Sequence, residues 1–556
     1  MESSLKPYEA IAAQKKAEQW SRIPEHWRIP ADRLPGPGLL NVMDVPLTCG
    51  VLDEVEIAIT SDFDATALLE ELKNGRLSAE QVSVAFCKRA AVAHHLTNCL
   101  TEIFFTTAIA RAKHLDTDRR LNPQKPLPPL FGLPVSLKDS FAVEGHDTTT
   151  GLACFAGQPA GSPPAALARM LLDLGAVLYC KTNLPQSILT GDSHNHVFGR
   201  TLNPRSCTDC PAGLTAGGST GGEGALLALR GSVLGVGTDV AGSIRVPAVC
   251  NGVYGFRASV GVVPHGGVRD LQPEGLMVGS IVSTAGPMAT SLRDIEMFMR
   301  VVMQAGGWRW DPTAVCVPWI GGGRGKKLRI GVALDDGLFT PTPPVRRGLQ
   351  MVVDKLVQHP EDVEVIPIIL PEVGVVYGEV IKYLTLCGGQ HYLDLFARTG
   401  EPAIPSLANT GVLSIPTTTE TSVLWAMNAT RAEISAAYHR LFVTTNDLDA
   451  ILMPPAPHTA VPHDAWSRPA YTCIWNYVDY PALVMPVDKV RVGVDEADDV
   501  GNAKYGQADE EMYKLYTGPE AYEDAPICVQ LVGYKQRDEA LLRVAAVVEG
   551  IVNKAD

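Results

Sequence analysis

The chain has 556 residues, 46% hydrophobic and 19% charged, ordinary globular material with ample mass for a large core, which excludes a disordered polymer. A formal net charge of −14 argues against nucleic acid or anionic membrane as a partner, because both are repelled over a Debye length of about 8–10 Å at physiological salt. The N-terminal stretch MESSLKPYEAIAAQKKAEQW has no apolar signal core and no window reaches the ~18 apolar residues of a membrane span, so a cytoplasmic protein without a transmembrane segment is expected, its twelve scattered cysteines present as thiols.

In chain order, residues 5–23 carry Tyr8, Ile11 and Ala12 at helical spacing and predict a helix, followed by a proline-rich extended arm to Pro46. Residues 1–58 read as an N-terminal helical lead-in arm, and 59–556 as a single domain. Helical patterns follow at 66–74 and 79–94. Ser162-Pro163-Pro164 predicts the start of a helix running to Leu174, with Gly175 as its stop and a buried strand over 176–179. Cys207 and Cys210 have CxxC spacing, but with no second pair and no βαβ context they read as thiols in a loop. Segment 308–327, with its glycines at 321, 322, 323 and 325, is the expected hinge or surface loop. Strand-like runs lie at 328–334, 363–370, 450–453, 482–487 and 527–532, and a helix over 538–552 closes the chain. Short, wholly apolar strands interleaved with helices predict an α/β fold with its sheet covered on both faces.

The chemistry concentrates in residues 217–248, GGSTGGEGALLALRGSVLGVGTDVAGSIRVPA. So dense a run of glycine suggests main-chain N–H groups converging on a ligand or reacting centre. The spacing matches neither a P-loop nor a dinucleotide fingerprint. Gly217-Gly218-Ser219-Thr220-Gly221 does fit a nucleophile elbow with Ser219 as nucleophile, but that motif needs a strand before it, and CTDCPAG at 207–213 is loop composition. A second hydroxyl, Ser243, sits 24 residues later among small residues that let successive N–H groups point at one oxygen. Serine is inert until a base removes its proton. Lys138, in GLPVSLKDS after an apolar run, is in surroundings where a lysine loses its charge.

Lys138 in GLPVSLKDS, Ser219 in AGGSTGGEGALLA and Ser243 in GTDVAGSIRVP resemble the amidase signature family, and in order and flanks they are highly specific. Further blocks agree: KTNLPQ at 181–186, FGRTLNP at 198–204, WNYVDYPA at 475–482 and the stretch from Ala525-Pro526 to Gly533. The similarity spans residues 60–550, and IPEHWR at 23–28 resembles fungal acetamidase-like members, which are related to fatty acid amide hydrolases. The resemblance implies an α/β/α sandwich around a large mixed twisted sheet and a Ser-Ser-Lys triad without cofactor or metal. Carried onto this chain, Ser243 is the nucleophile, Ser219 the proton relay on a cis peptide, and Lys138 the base. The backbone of Val240, Ala241, Gly242 and Ser243 forms the oxyanion cradle, with Thr220, Asp239 and Arg245 in support and Asp239 paired to Arg245. Ala241 stands where glycine is frequent and Thr220 where serine is usual. Ile188, Leu189 and Gly191 are candidates for the acyl pocket.

The expected partner is a small-molecule amide, cleaved through an acyl-enzyme to an acid plus ammonia or an amine; a homodimer is compatible with the family. Three other readings compete. His194-Asn195-His196 places two imidazoles where they could share a metal in a metal-dependent amidohydrolase. The family also includes the glutaminase subunit of amidotransferases, against which the N-terminal arm argues, and an amidase-like binding protein without catalysis, against which the intact triad argues. Acyl chain length is not legible.

Overall fold

A computed structural model describes residues 6–36, 38–273, 276, 279–321 and 327–554. In chain order its strands are β1 (Leu100–Ile103), β2 (Pro134–Lys138), β3 (Val177–Thr182), β4 (His194–Asn195), β5 (Gly199–Arg200), β6 (Leu234–Asp239), β7 (Tyr254–Arg257), β8 (Thr284–Ala289), β9 (Leu328–Val332), β10 (Val363–Pro367), β11 (Ala450–Met453), β12 (Ala482–Lys489) and β13 (Pro526–Val532). Eleven form one twisted sheet in the order β1-β3-β2-β6-β8-β7-β12-β13-β11-β9-β10, while β4 and β5 make a separate hairpin. The sheet is mixed. β3, β2 and β6 run parallel, as do β11, β9 and β10, and an antiparallel block joins the two groups.

Alternate residues of one strand feed different cores, as the two-residue period of a pleated strand requires. In β12, Leu483 and Met485 join the largest core with helices Leu292–Ala305, Pro343–Val357 and Asp538–Val552. Between them Val484 packs with Ile244, Ala248 and Val249 on the opposite side. Helices therefore cover both faces, the arrangement expected for an α/β protein.

Several helices follow local signals. Ala65–Asn74 is capped by Asp64 and ends at Gly75 in the left-handed region; Ala79–Thr97 opens with the capping box Ser78/Gln81 and ends at left-handed Asn98, three residues beyond the expected stop. Helix Asp538–Val552 and strand Ala450–Met453 match their expected bounds to the residue. The helix expected from Ser162-Pro163-Pro164 begins instead at Ala166, after a cis Ser162–Pro163 bond, and runs to Asp173. Ala165 N–H donates to Ala142 O at 2.9 Å, so tertiary contact sets the start rather than the proline pair.

The N-terminal helix Pro7–Ser21 docks on β1. Lys15 Nζ lies 2.6 Å from Glu102 Oε1 and 3.0 Å from Asp147 Oδ2, and Gln19 Nε2 donates to the carbonyls of Leu100 and Thr101 at 2.8 Å each. Ile23, Trp27 and Ile29 bury in the main core. Helix Glu54–Ser61 runs across the expected arm boundary at 58/59. Of the expected hinge at 308–327, residues 322–326 lie outside the described residues. All twelve cysteines are thiols, Cys210 exposed and Cys207 half-buried. Among the described residues no helix is long and apolar enough to cross a membrane.

Candidate active site

Parallel pairing of β2 with β3 and with β6 brings the carboxyl ends of three central strands to one edge, where open α/β sheets place their ligands. Lys138 is the last residue of β2 and Asp239 the last of β6. The register Leu137↔Val236 sets Lys138 beside the Gly237-Thr238 step. Lys138 is fully buried and donates to Ser219 Oγ at 2.6 Å and Thr238 Oγ1 at 2.9 Å. Burial brings its ammonium down to about 7, against the opposing pull of Asp239, Asp270 and Asp139. Thr238, part of the quoted GTDVAGS block, was not singled out from sequence because only the strand register makes it a partner of Lys138.

Ser219 follows a cis Gly218–Ser219 peptide and is buried. Helix Gly221–Ala228 begins just after it. What precedes the turn is isolated bridging at Leu214 and Thr215 rather than a strand, so the strand–turn–helix of a nucleophile elbow is not formed. Ser193 clamps the turn, donating to Gly217 O at 2.8 Å and accepting from Gly221 N–H at 3.0 Å. Thr220 N–H donates to Ser243 O at 3.2 Å and brings the two serine loops together. Thr220 Oγ1 is buried without a partner among the described residues. No hydrogen bond joins Ser219 Oγ to Ser243 Oγ.

The Ser243 loop hangs on one carboxylate. Asp239 accepts from Gly242 N–H at 2.8 Å, Ile244 N–H at 3.1 Å, Asn476 Nδ2 at 2.9 Å, and Arg245 through Nε at 3.1 Å and Nη2 at 3.0 Å. The expected Asp239–Arg245 pair is thus present, fully buried and bidentate. Burial alone would raise the Asp239 carboxyl, but the Arg245 guanidinium and the Asn476 amide hold it well below the usual carboxylate range. Arg245 is braced further by Thr472 O at 2.8 Å, Gln530 Oε1 at 2.9 Å and Asn476 Oδ1 at 2.6 Å. Asn476 lies in the WNYVDYPA block and Gln530 within the closing block, yet their convergence on Arg245 is invisible in one dimension.

Gly242 has φ +132°, and a Cβ there would collide with the Thr472 hydroxyl, so this position admits only glycine. Ala241 is not among the residues with positive φ, which is why its side chain is tolerated where the family often carries glycine. Of the four amides expected in the oxyanion cradle, that of Gly242 is engaged by Asp239; those of Val240, Ala241 and Ser243 meet no acceptor among the described residues.

A cavity of about 470 Å³ opens beside Ser243, with Gly218 and residues 240–243 at one end. Ile188, Leu189 and Gly191, the candidate pocket residues, line it together with Phe339, Tyr377, Ile381, Leu384 and Trp466. Ile188 has φ +58°, a rare backbone for a β-branched side chain.

The two histidines of the metal reading have other partners. His194 Nδ1 lies 3.2 Å from Arg200 Nη2, and burial followed by Arg200 pushes the imidazole down to about 4. His196 packs against Tyr8 with ring centroids 5.4 Å apart. Among the described residues no three His, Cys, Asp or Glu side chains group as a metal site.

Comparison with known proteins agrees with this architecture. An "Amidase" of Gibberella moniliformis is 33% identical over 550 residues, covering 97% of this chain and 98% of that protein. An "Acetamidase" of Aspergillus oryzae is 33% identical over 557 residues, covering 97% and 98%. A solved "Fatty acid amide hydrolase" superposes with a TM-score of 0.89 at 28% identity, covering 98% of this chain and 95% of that one. The Amidase family model matches residues 81–542. The chain belongs to the amidase family, and it is an amide hydrolase.

Proposed function

We propose that the enzyme cleaves its amide through a Ser243 acyl-enzyme, with Ser219 and Lys138 as a two-step proton relay. The reading rests above all on Lys138, a fully buried lysine whose hydrogen-bond partners are two hydroxyls, Ser219 at 2.6 Å and Thr238 at 2.9 Å. Burial brings the ammonium of a lysine so placed down to about 7, so a large share of it is neutral at neutral pH and accepts a proton.

With substrate bound, Ser243 Oγ attacks the carbonyl carbon as its proton passes to Ser219 and the Ser219 proton passes to Lys138 Nζ. This requires Ser243 Oγ to close on Ser219 Oγ, a contact of the kind that tightens only in the complex. The carbonyl oxygen becomes an oxyanion, held by the Ala241 and Ser243 amides while Asp239 keeps the Gly242 amide and the loop in place. Ser219 then protonates the departing nitrogen and is recharged from Lys138; the C–N bond breaks and the acyl group remains on Ser243. Water then attacks the acyl carbon as its proton passes through Ser219 to Lys138, and the relay returns that proton to Ser243 Oγ as the acyl C–O bond breaks and the acid leaves.

Ser243→Ala removes the nucleophile at a half-buried position, and turnover is expected to fall by at least ~10³-fold with the fold intact. Mass spectrometry after fluorophosphonate treatment should place one adduct on Ser243. An adduct on Ser219 would restore the elbow reading, and loss of activity with EDTA reversed by zinc would restore the His194/His196 reading.

A further inference from the structure

The cavity beside Ser243 is almost uncharged. Its described lining consists of aliphatic, aromatic, hydroxyl and backbone groups and the Cys473 thiol, and its one charged side chain is the exposed Arg468, which stands between Trp466 and Ala470 in the same wall. Trp466 anchors that wall, 5% exposed and edge-on to His458 with ring centroids 4.5 Å apart. Four residues beyond Arg468, the Thr472 hydroxyl donates to Ala241 O at 2.7 Å, which ties the wall to the Ser243 loop.

The chain carries 61 acidic against 47 Lys and Arg residues, and arginines near this region meet carboxylates: Arg200 bonds Asp192 and Asp464, and Arg245 bonds Asp239. Arg468 has no ion pair and no hydrogen bond among the described residues. A guanidinium keeps its charge at all working pH values and presents a planar fork that matches a carboxylate. Arg468 is solvent-exposed, so its guanidinium stands where the cavity meets water, and a carboxylate of a bound substrate can reach it there without either charge being fully desolvated.

Resting on the reading of Ser243 as nucleophile, we infer that the enzyme selects amides that join an apolar group to a carboxylate, Arg468 binding the carboxylate while the apolar group fills the cavity. The carboxylate could belong to the amine half, as in an N-acyl amino acid, or to the acyl half, as in a dicarboxylic monoamide.

Two matched pairs separate these sources. N-(Phenylacetyl)glycine and N-(phenylacetyl)ethanolamine share phenylacetate as product; 4-carbamoylbutanoate and pentanamide both release ammonia. In one pair kcat/KM is expected to favour the carboxylate by about tenfold or more. Arg468→Gln should bring the kcat/KM ratio within that pair to about one, and Arg468→Lys should retain part of the preference. Equal kcat/KM within both pairs, or a preference that survives Arg468→Gln, overturns the proposal. If neither pair turns over, protection of Ser243 from fluorophosphonate by phenylacetylglycine or 4-carbamoylbutanoate reads binding directly; no protection, or protection unchanged in Arg468→Gln, likewise overturns it. Turnover of neutral amides by Ser243→Ala would instead sink the acyl-enzyme reading, a distinct result.

Discussion

Two lysines end neighbouring parallel strands, and they have been put to opposite uses. In the β2/β3 register Lys138 pairs with Thr182 and Lys181 with Leu137, so the pleat sends the two side chains to opposite faces. Both are fully buried. Lys138 meets the Ser219 and Thr238 hydroxyls, whereas Lys181 donates to Asp147 O at 2.6 Å and Thr148 Oγ1 at 3.1 Å and lies 3.5 Å from Asp139 Oδ1. Burial lowers both ammonium groups, but Asp139, Glu102 and Asp147 pull Lys181 back while no carboxylate touches Lys138, which comes down to about 7. On the proposed reading a base is made by keeping carboxylates out of contact, while Lys181 is held by a direct carboxylate contact.

The strongest way to break this contrast is at Lys138 itself. Lys138→Ala is expected to lower kcat/KM by about 10⁴-fold or more, and Lys138→Arg nearly as far, because a guanidinium cannot accept a proton. A Lys138→Arg enzyme with most of its activity, measured by steady-state kinetics, would show that this residue is no base.

At Lys181 the expected damage is to stability. Lys181→Met leaves Asp139 buried with its Thr101, Thr149 and Thr150 partners but without its cation, and should cost about 3–5 kcal/mol by denaturant unfolding. Its pH–rate limb should stay in place. A shift of that limb would mean that the two lysines act as one titrating unit.

The pH dependence sharpens the same point. The wild-type kcat/KM should rise through about pH 7, as Lys138 deprotonates in the free enzyme, and then level. The folded value lies below the ordinary lysine value of 10.5. Between the two the unfolded chain binds the extra proton, so wild-type stability should increase with pH across that window. In Lys138→Met this increment, a few kcal/mol for so deeply buried a group, should vanish from pH-resolved unfolding curves. Parallel curves for the two proteins would contradict a perturbed Lys138.

The smallest expected effect is at Thr238. Thr238→Val removes one of the two hydroxyls that solvate the Lys138 ammonium, so the midpoint of the pH–rate limb should move below that of wild type, with kcat/KM down by about three- to tenfold, the value of one hydrogen bond. An upward shift would mean that Thr238 stabilises the neutral amine instead.

The residues of the proposed relay were legible because that chemistry demands particular side chains in particular glycine-rich contexts, and glycine carries its backbone reason with it. Strands built from aliphatic residues, such as Ala450–Met453, were equally legible. The strands Leu234–Asp239 and Thr284–Ala289 were not, since LGVGTD and TAGPMA lack the wholly apolar run that marks a buried strand. Their small residues answer to neighbours from elsewhere in the chain: a Cβ on Gly235 would collide with the Glu223 carboxyl on helix Gly221–Ala228. Burial raises that carboxyl to about 7, opposed by hydrogen bonds to Ser136 and Thr182.

The sequence by itself determined the family, the three groups of the proposed relay, the pairing of Asp239 with Arg245 and the α/β character, because each depends on residue identity or on short-range periodicity. The tertiary structure decided which hydroxyls face Lys138, that the Gly242 amide serves Asp239, that Asn476 and Gln530 brace Arg245, and that Arg468 shares a cavity with Ser243. Those facts follow from strand register and from contacts between segments tens to hundreds of residues apart, and no local pattern encodes a distance between positions that meet only when the sheet has formed.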